Sequence, residues 1–293
     1  MKELRKEKIV TTVLILLLLA GAALLLIVLF DTNRFVIRRY ELISSKVDKP
    51  VRFVVLADVH NKQYGKNNEK LVKAVWEQKP NAVLVAGDIL TAKPGKSLES
   101  AKNLMQQVAH DYPVYYALGN HEFRMRLYPK TYGNQFREYI HFLKKQGINV
   151  LLNEKTVLPG TNIEITGSMI AREYYKRFRR TPMEERYLKK TLPAGNKDRY
   201  RVLIAHNPQY FDAYEEWGAD LVISGHVHGG IMRLPWAGGV VSPSCTLFPK
   251  YDGGIFKKGH ASMVLSRGLG THTIPIRVFN PGELVVITVK PCK

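Results

Sequence analysis

The stretch VVLADVH (residues 54–60) places an aspartate and a histidine directly after a run of aliphatic residues. The pattern returns in VLVAGDI (residues 83–89) and YYALGNHE (residues 115–122), where an apolar run again ends in Asp, Asn or His. Short apolar runs rich in β-branched and aromatic residues are typical of buried strands. Segments with helical spacing separate the runs, so the order strand, helix, strand predicts an α/β fold with parallel strands.

Two further runs in the second half of the chain end in the same way. They are VLIAHNP (residues 202–208) and LVISGHVHGG (residues 221–230). Because the carboxyl ends of parallel strands collect the functional loops of an α/β sheet, we expect the polar residues that follow the five strands to converge. The candidates are Asp58, His60, Asp88, Asn120, His121, His206, His226 and His228.

Each candidate taken alone has a structural explanation. Asp58 or Asp88 can cap a turn, and a single His206 is more often a satisfied structural histidine than a ligand. Five strand ends that all carry such residues favour a metal site. Carboxylate and imidazole ligands suit Mn, Fe or Zn, and the sequence has no set of cysteines that would indicate a structural zinc site instead.

The five blocks together resemble one family. Asp58-x-His60, Gly87-Asp88, the GNHE block at residues 119–122, His206 and the GHxHG block at residues 225–229 resemble the calcineurin-like metallophosphoesterases, in the same order. The C-terminal SRGLG (residues 266–270) and IPIRVFNPGELVVITV (residues 274–289) are similar to the bacterial membrane-anchored branch of that family. The resemblance implies a four-layer α/β/β/α sandwich, the metallo-dependent phosphatase fold, over residues 51–293.

The resemblance also implies two divalent metal ions, Mn, Fe or Zn, with Mn favoured. Carried over position by position, Asp58, His60 and His228 hold one ion, and Asn120, His206 and His226 hold the other. Asp88 bridges both ions. Two cations about 3.5 to 4 Å apart can share a carboxylate, lower the pKa of a bound water and neutralise phosphate oxygens during in-line attack.

His121 is expected beside the substrate phosphate rather than on a metal. There it would stabilise developing charge or protonate the leaving oxygen, which makes His121 and Asp88 the expected catalytic residues. The alternative is that His121 only orients Asp58 through a hydrogen bond. Glu122 is expected to support its loop.

Residues 9–30 form 22 consecutive positions without a charge. As a helix this segment would reach roughly 33 Å and cross a bilayer core. A cleaved signal peptide is the alternative, but no small-residue cleavage site follows Phe30. We therefore expect a cytoplasmic tail and transmembrane anchor at residues 1–30, and a juxtamembrane connector at residues 31–50 with a first strand near 35–42. The expected location is the cell membrane, single-pass, with the catalytic domain extracytoplasmic.

The formal net charge is +19, and residues 51–293 carry +15 of it, from 35 Lys/Arg and 20 Asp/Glu. Such a field attracts anionic lipid surfaces, wall polymers and phosphorylated substrates. No nucleic-acid-binding module has a signature in the sequence. One basic segment, residues 172–190, carries eight Lys/Arg and is either a solvated surface or a cap beside the metals that binds an anionic head group, with Tyr174, Tyr175 and Phe178 against acyl chains.

The sequence therefore predicts a membrane-anchored, metal-dependent phosphohydrolase. The expected partners are the membrane and a phosphorylated substrate, preferably a phosphoester or pyrophosphate of a lipid or cell-envelope component. The first alternative is a broad phosphodiesterase or phosphatase that acts on soluble nucleotides. A second is a noncatalytic scaffold that binds anionic lipid or polymer. The ligand pattern specifies neither mono- nor diesterase activity, nor an oligomeric state.

Overall fold

The computed structural model describes residues 2–176, 181–184, 186–234, 236–242, 246–271 and 275–292. Their helices are α1 (Lys2–Asn33), α2 (Glu69–Glu77), α3 (Glu99–Asp111), α4 (Asn120–Leu127), α5 (Pro129–Tyr132), α6 (Gln135–Lys145), α7 (Tyr187–Thr191) and α8 (Phe211–Trp217). Short 3-10 turns span Lys66–Asn68, Arg172–Tyr175 and Pro208–Tyr210.

The strands form two six-stranded sheets and one small hairpin. They are β1 (Phe35–Ser44), β2 (Val51–Leu56), β3 (Ala82–Val85), β4 (Val114–Tyr116), β5 (Asn149–Val150), β6 (Lys155–Val157), β7 (Ile163–Ser168), β8 (Tyr200–Ala205), β9 (Leu221–Ser224), β10 (Arg233–Leu234), β11 (Gly238–Gly239), β12 (Gly254–Lys258), β13 (Ala261–Leu265) and β14 (Gly282–Pro291). The first sheet has the order β1-β14-β2-β3-β4-β5, and the second β12-β13-β9-β8-β7-β6.

Three apolar clusters separate four layers. The first lies between the first sheet and α2, α3 and α6, and it includes Leu71, Leu104 and Leu143. The second joins the inner faces of the two sheets through strand residues such as Phe53 and Ile204. In the third cluster, α7 and α8 cover the second sheet. Since each sheet buries one face against helices and the other against its partner sheet, the fold is the expected α/β/β/α sandwich.

The chain enters the domain through β1, which lies in the segment expected to be a connector. β1 pairs in parallel with β14 over ten residues, from Phe35 with Gly282 to Ser44 with Pro291. The predicted first strand is thus present, and it forms the edge of the first sheet.

Helix α1 precedes β1 and is long and apolar enough to cross a membrane. Its end contacts the domain. The Asp31 carboxylate is buried and accepts a hydrogen bond from the Asn280 N–H (3.2 Å), and the Thr32 hydroxyl oxygen accepts one from the Arg277 N–H (3.1 Å). Helix α1 is therefore hydrogen-bonded to the loop that precedes β14.

The predicted elements match the structure with few differences. The basic segment at residues 172–190 contains the start of the short helix α7, and Glu185 lies outside the described residues. Helix α4 was not predicted, because its sequence NHEFRMRL has little apolar periodicity. Its first turn is stabilised by the Glu122 carboxylate, which accepts a hydrogen bond from the Gly119 N–H (3.1 Å).

Candidate metal centre

The polar residues that follow five strands meet at the carboxyl ends of both sheets. β2, β3 and β4 of the first sheet are followed by Asp58 and His60, by Asp88, and by Asn120 and His121. β8 and β9 of the second sheet are followed by His206, and by His226 and His228. The structure therefore brings all eight sequence candidates into one site, with contributions from both sheets.

One group of ligand atoms comes from Asp58, His60 and His228, all buried and all within 4.8 Å of one another. The His60 Nε2 lies 3.1 Å from the His228 Nε2, and the latter lies 3.5 Å from Asp58 Oδ1. Two imidazole nitrogens and a carboxylate oxygen in this arrangement are a suitable donor set for a divalent transition metal.

A second group comes from Asp88, His206 and His226, again within 4.8 Å. His206 Nε2 lies 3.2 Å from Asp88 Oδ2 and 3.2 Å from the Asn120 side-chain oxygen. The same Asp88 oxygen lies 3.8 Å from His60 Nε2. Asp88 therefore stands between the two groups, where one carboxylate could contact a cation in either group.

The hydrogen bonds of His206 prepare it to bind a cation. Its Nδ1 lies 2.6 Å from the Ala86 carbonyl oxygen, which only accepts, so Nδ1 carries a proton and donates it. The other nitrogen, Nε2, faces Asp88 and Asn120 and is the one left to bind a cation. A histidine ligand fixed by a backbone carbonyl in this way is typical of metal sites, and the residues present fit two divalent cations.

The electrostatics of the site are those of buried, coupled charges. Burial raises the pKa of Asp58 to about 7. Burial also opposes ionisation of Asp88, but His206, His121 and His60 hold the pKa of Asp88 well below its usual value. Burial opposes protonation of His206, yet its carboxylate neighbours raise its pKa to about 10. The two carboxylates thus depend on nearby positive charge, which divalent cations supply when bound.

The ligand loops have an unusual backbone. Asp58, His60, Asp88, His226 and His228 have φ angles between 50° and 74°, in the left-handed region that non-glycine residues seldom adopt. Such conformations cost about 1–3 kcal/mol each and persist where the surrounding structure fixes them. Because five ligand positions share this conformation, we infer that packing around the site fixes the backbone of these loops.

Two glycines of the sequence blocks are required by close approach. A Cβ on Gly119 would lie 2.1 Å from Asp88 Oδ1, and a Cβ on Gly87 would lie 2.1 Å from the Gly119 nitrogen. Both distances are far below van der Waals contact. The Gly87-Asp88 and Gly119-Asn120 pairs are therefore explained by the packing of one ligand loop against another.

His121 lies beside the metal ligands. The backbone N–H of His121 donates to Asp88 Oδ1 (2.8 Å), and its ring Nδ1 accepts from the Ala92 backbone N–H (2.9 Å). The neutral ring therefore carries its proton on Nε2. Burial lowers the pKa of His121, which favours this neutral form.

Glu122 supports the loops, as expected. Its Oε2 accepts from the N–H groups of Asp88 (2.9 Å) and Gly119 (3.1 Å). Its Oε1 accepts from the Ile89 N–H (3.0 Å) and the Tyr116 hydroxyl (2.8 Å). One buried carboxylate thus fixes the loops after β3 and β4.

Two residues that hold the His228 loop were not predicted as part of the site. The buried Asn280 side-chain amide donates to the carbonyl oxygens of His228 (2.8 Å) and Gly230 (2.6 Å). The buried Arg277 guanidinium donates to the carbonyl oxygens of His228 (3.5 Å) and Gly268 (3.1 Å). Both belong to residues 274–289, the stretch that resembles the membrane-anchored branch, and this resemblance is the sequence feature that could have pointed to them.

A cavity of about 630 Å³ opens beside the ligands Asn120 and His226. Its wall is both cationic and apolar, with Arg124, Arg172, Lys176, Phe123, Leu127 and Tyr128 among the lining residues. The Arg172 guanidinium lies over the Tyr128 ring, 4.9 Å from its centroid.

The basic segment contributes one side of this cavity. Tyr175 contacts the His226 ring, with centroids 5.3 Å apart, so it lies close to the metal ligands. Tyr174 is 4% exposed and packs against Tyr187 and Tyr210. Most of the Tyr174 ring therefore belongs to the core under α8, and the residue also borders the cavity. Residues 177–180, including Phe178, lie outside the described residues.

Known proteins match the chain over this site. The calcineurin-like phosphoesterase family model matches residues 51–230. Phosphodiesterase YaeI of Escherichia coli is 25% identical over 229 residues, covering 76% of each chain. The uncharacterized metallophosphoesterase Cj0846 of Campylobacter jejuni is 28% identical over 254 residues, covering 83% of this chain and 60% of its own. An NAD nucleotidase structure of Haemophilus influenzae aligns at 14% identity with a TM-score of 0.43, covering 75% of this chain and 45% of that one.

The family match covers more than half of the chain and spans all eight residues of the site. The chain therefore belongs to the calcineurin-like phosphoesterase family and is a metal-dependent phosphoester hydrolase.

Proposed function

We propose that the chain is a membrane-anchored phosphohydrolase that cleaves a phosphoester or pyrophosphate bond of a lipid or cell-envelope component. The observation that carries the proposal is the mixed cationic and apolar cavity beside the metal ligands, in a chain whose first helix is long and apolar enough to span a membrane. An amphiphile with a phosphorylated head group matches this cavity, because its phosphate suits the cationic side chains and its apolar part suits the hydrophobic ones.

The cavity wall fits such a substrate in detail. Arg124, Arg172 and Lys176 offer charge to phosphate oxygens near the ligand Asn120. Leu127, 41% exposed, provides apolar surface in the same cavity.

The proposed site holds two divalent cations, with Mn favoured. When bound, the cations polarise the phosphate and supply an activated water. The ligands are Asp58, His60, Asp88, Asn120, His206, His226 and His228, with Asp88 shared. His121 would donate a hydrogen bond from its Nε2–H to the leaving oxygen and stabilise the charge that develops there, because its Nδ1 accepts from the Ala92 N–H.

In this proposal α1 is an uncleaved single-pass anchor. Its amino-terminal tail is cytoplasmic and the catalytic domain is outside. Arg34 lies over the Phe30 ring, 4.5 Å from the centroid, at the end of the apolar segment, where cationic and aromatic side chains commonly sit at a membrane interface.

The test compares substrates on the full chain in vesicles with added manganese. We expect hydrolysis of a phosphorylated lipid in the vesicles to exceed that of a soluble nucleotide ester. Asp88→Asn should abolish both reactions, whereas Asp111→Asn, at an exposed ion pair with His110, should change neither.

Two outcomes would contradict the proposal. Faster hydrolysis of the soluble nucleotide would favour a broad phosphodiesterase. No hydrolysis of any ester, together with lipid binding that Asp88→Asn leaves intact, would favour a scaffold.

A further inference from the structure

Large apolar side chains are exposed on one part of the domain. In the described residues outside α1, eight of the twelve exposed large hydrophobic residues follow the last metal ligand, and all but Ile255 lie on three segments that contact one another; these segments carry seven of them. They are Met232, Leu234, Trp236, Leu247, Phe248, Ile276 and Phe279, and we call them the docking surface. Trp236 is 96% exposed in the turn between β10 and β11. A tryptophan without packing in water indicates an apolar partner.

The three segments that carry these residues are joined by backbone hydrogen bonds. The Arg233 N–H donates to the Val278 carbonyl (3.0 Å), and the Val240 N–H donates to the Met232 carbonyl (2.9 Å). The Phe248 N–H in turn donates to the Val240 carbonyl (2.9 Å). The exposed side chains therefore belong to one connected substructure.

This substructure is fixed to the end of α1. The bonds from Asn280 to Asp31 and from Arg277 to Thr32 flank the exposed Phe279 within four residues of chain. One end of the docking surface, at Phe279, therefore lies next to the carboxyl-terminal end of α1.

Two cations lie at the same level. Arg34 follows α1 directly, and the Lys62 ammonium donates to the Asn33 side-chain oxygen at the helix end (2.8 Å). Apolar side chains bordered by Lys and Arg are the combination that binds at the boundary between lipid head groups and acyl chains.

The same contacts lead to the metal site. Asn280, bonded to Asp31, also donates to the His228 carbonyl (2.8 Å), and Lys62 is two residues from His60. The single residue Asn280 therefore connects α1 to the backbone of a proposed metal ligand, His228.

We propose that the docking surface inserts into the bilayer that α1 enters and so holds the metal site against the membrane surface. The proposal rests on the anchoring proposed above. Its occupant is the lipid bilayer, since α1 and the docking surface are joined by hydrogen bonds and bordered by Arg34 and Lys62.

The first experiment measures tryptophan quenching in the full chain. The chain has three tryptophans, and Trp76, at the end of α2, lies by the amino-terminal end of β2, away from the metal ligands. Lipids with a shallow nitroxide label should quench the fluorescence of the wild-type chain and of Trp76→Phe. Trp236→Phe should lose this quenching.

The second experiment separates binding from folding. The triple variant Trp236→Asp, Phe248→Asp and Phe279→Asp should lose several-fold in turnover of a vesicle-embedded phosphoester while keeping its rate on a soluble chromogenic ester. Quenching that persists in Trp236→Phe, or unchanged vesicle turnover in the triple variant, would overturn the docking surface alone. A full chain that does not float with vesicles would overturn the anchoring as well.

Discussion

Asp88 is the residue at which the contacts of the site meet. One carboxylate oxygen accepts from the His121 N–H and the other lies 3.2 Å from His206, while its own N–H donates to Glu122. A shared carboxylate must keep its orientation toward two cations at once. At this position the orientation is fixed by backbone and side-chain bonds on both sides, so the neighbours of Asp88 can be tested separately from Asp88 itself.

Glu122→Gln tests the support of the Asp88 loop. The glutamine amide nitrogen cannot accept a hydrogen bond, so at least one of the four buried donors around this side chain loses its acceptor. We expect a loss of about 1–3 kcal/mol in stability, together with weaker metal binding. Thermal unfolding and metal content in detergent measure both. Glu99→Gln, at an exposed ion pair with Lys102, is the control, and equal effects in the two variants would contradict the role of Glu122.

His121→Ala tests the hydrogen-bond donor at the leaving oxygen. We expect kcat to fall by roughly 10²- to 10³-fold while the metal content is unchanged. The loss should be much smaller for an ester whose leaving group is already acidic, such as a nitrophenol, because less charge develops on its oxygen. If the loss is the same for nitrophenyl and alkyl esters, His121 acts in another way.

At the scale of elements, the apolar runs predicted β2, β3, β4, β8 and β9 and the helices between them, and the structure confirms the sandwich. Sequence periodicity did not show that the site would draw on both sheets, because strand order depends on packing between distant segments. The full pairing of β1 with β14 was missed for the same reason, since its partner lies about 250 residues later.

The limits of prediction within the site have a similar cause. The candidate ligands follow apolar strands directly, so their convergence was predictable from the chain. Arg277 and Asn280 reach the site through a loop at the end of the chain, and no strand pattern marks them. The cavity wall combines α4 with the turn at Arg172–Tyr175, two elements that only the fold brings together.

The pairing of β1 predicts where the domain can be cut. A chain that begins at Val51 loses the whole β1 strand, which leaves one edge of β14 unpaired, whereas a chain that begins at Arg34 keeps it. Long unpaired apolar edges promote association. We expect the shorter chain to aggregate on size-exclusion chromatography and the longer one to remain monodisperse at low concentration. Equal behaviour of the two would show that β1 is dispensable.

At the scale of the whole molecule, the chain combines an apolar helix at one end with a domain of formal charge +15 at residues 51–293. The hydrogen bonds between α1 and the loop before β14 make the orientation of the domain depend on the orientation of the helix. In the proposed arrangement, with α1 across a membrane, the substrate is expected on the side that the carboxyl terminus occupies.

The exposed Cys292 reports this side directly. In a Cys245→Ser background, a membrane-impermeant maleimide should label Cys292 in intact cells, because the domain is proposed to be external. A Lys2→Cys chain that also carries Cys245→Ser and Cys292→Ser should be labelled only after lysis. Labelling of position 2 and protection of Cys292 in intact cells would reverse the proposed orientation.

The metal centre joins loops from both sheets, so its ions are expected to stabilise the whole domain. Metal at a hundred times its Kd adds about 2.7 kcal/mol to the native state, which corresponds to roughly 5–10 °C in Tm for a domain of this size. Chelation should therefore lower the Tm of the wild-type chain and of Asp111→Asn by this amount. Asp88→Asn should show a much smaller change, because Asp88 belongs to one group of ligands and its Oδ2 lies 3.8 Å from His60 Nε2 of the other. An equal shift in Asp88→Asn would place the stabilising metal outside the site.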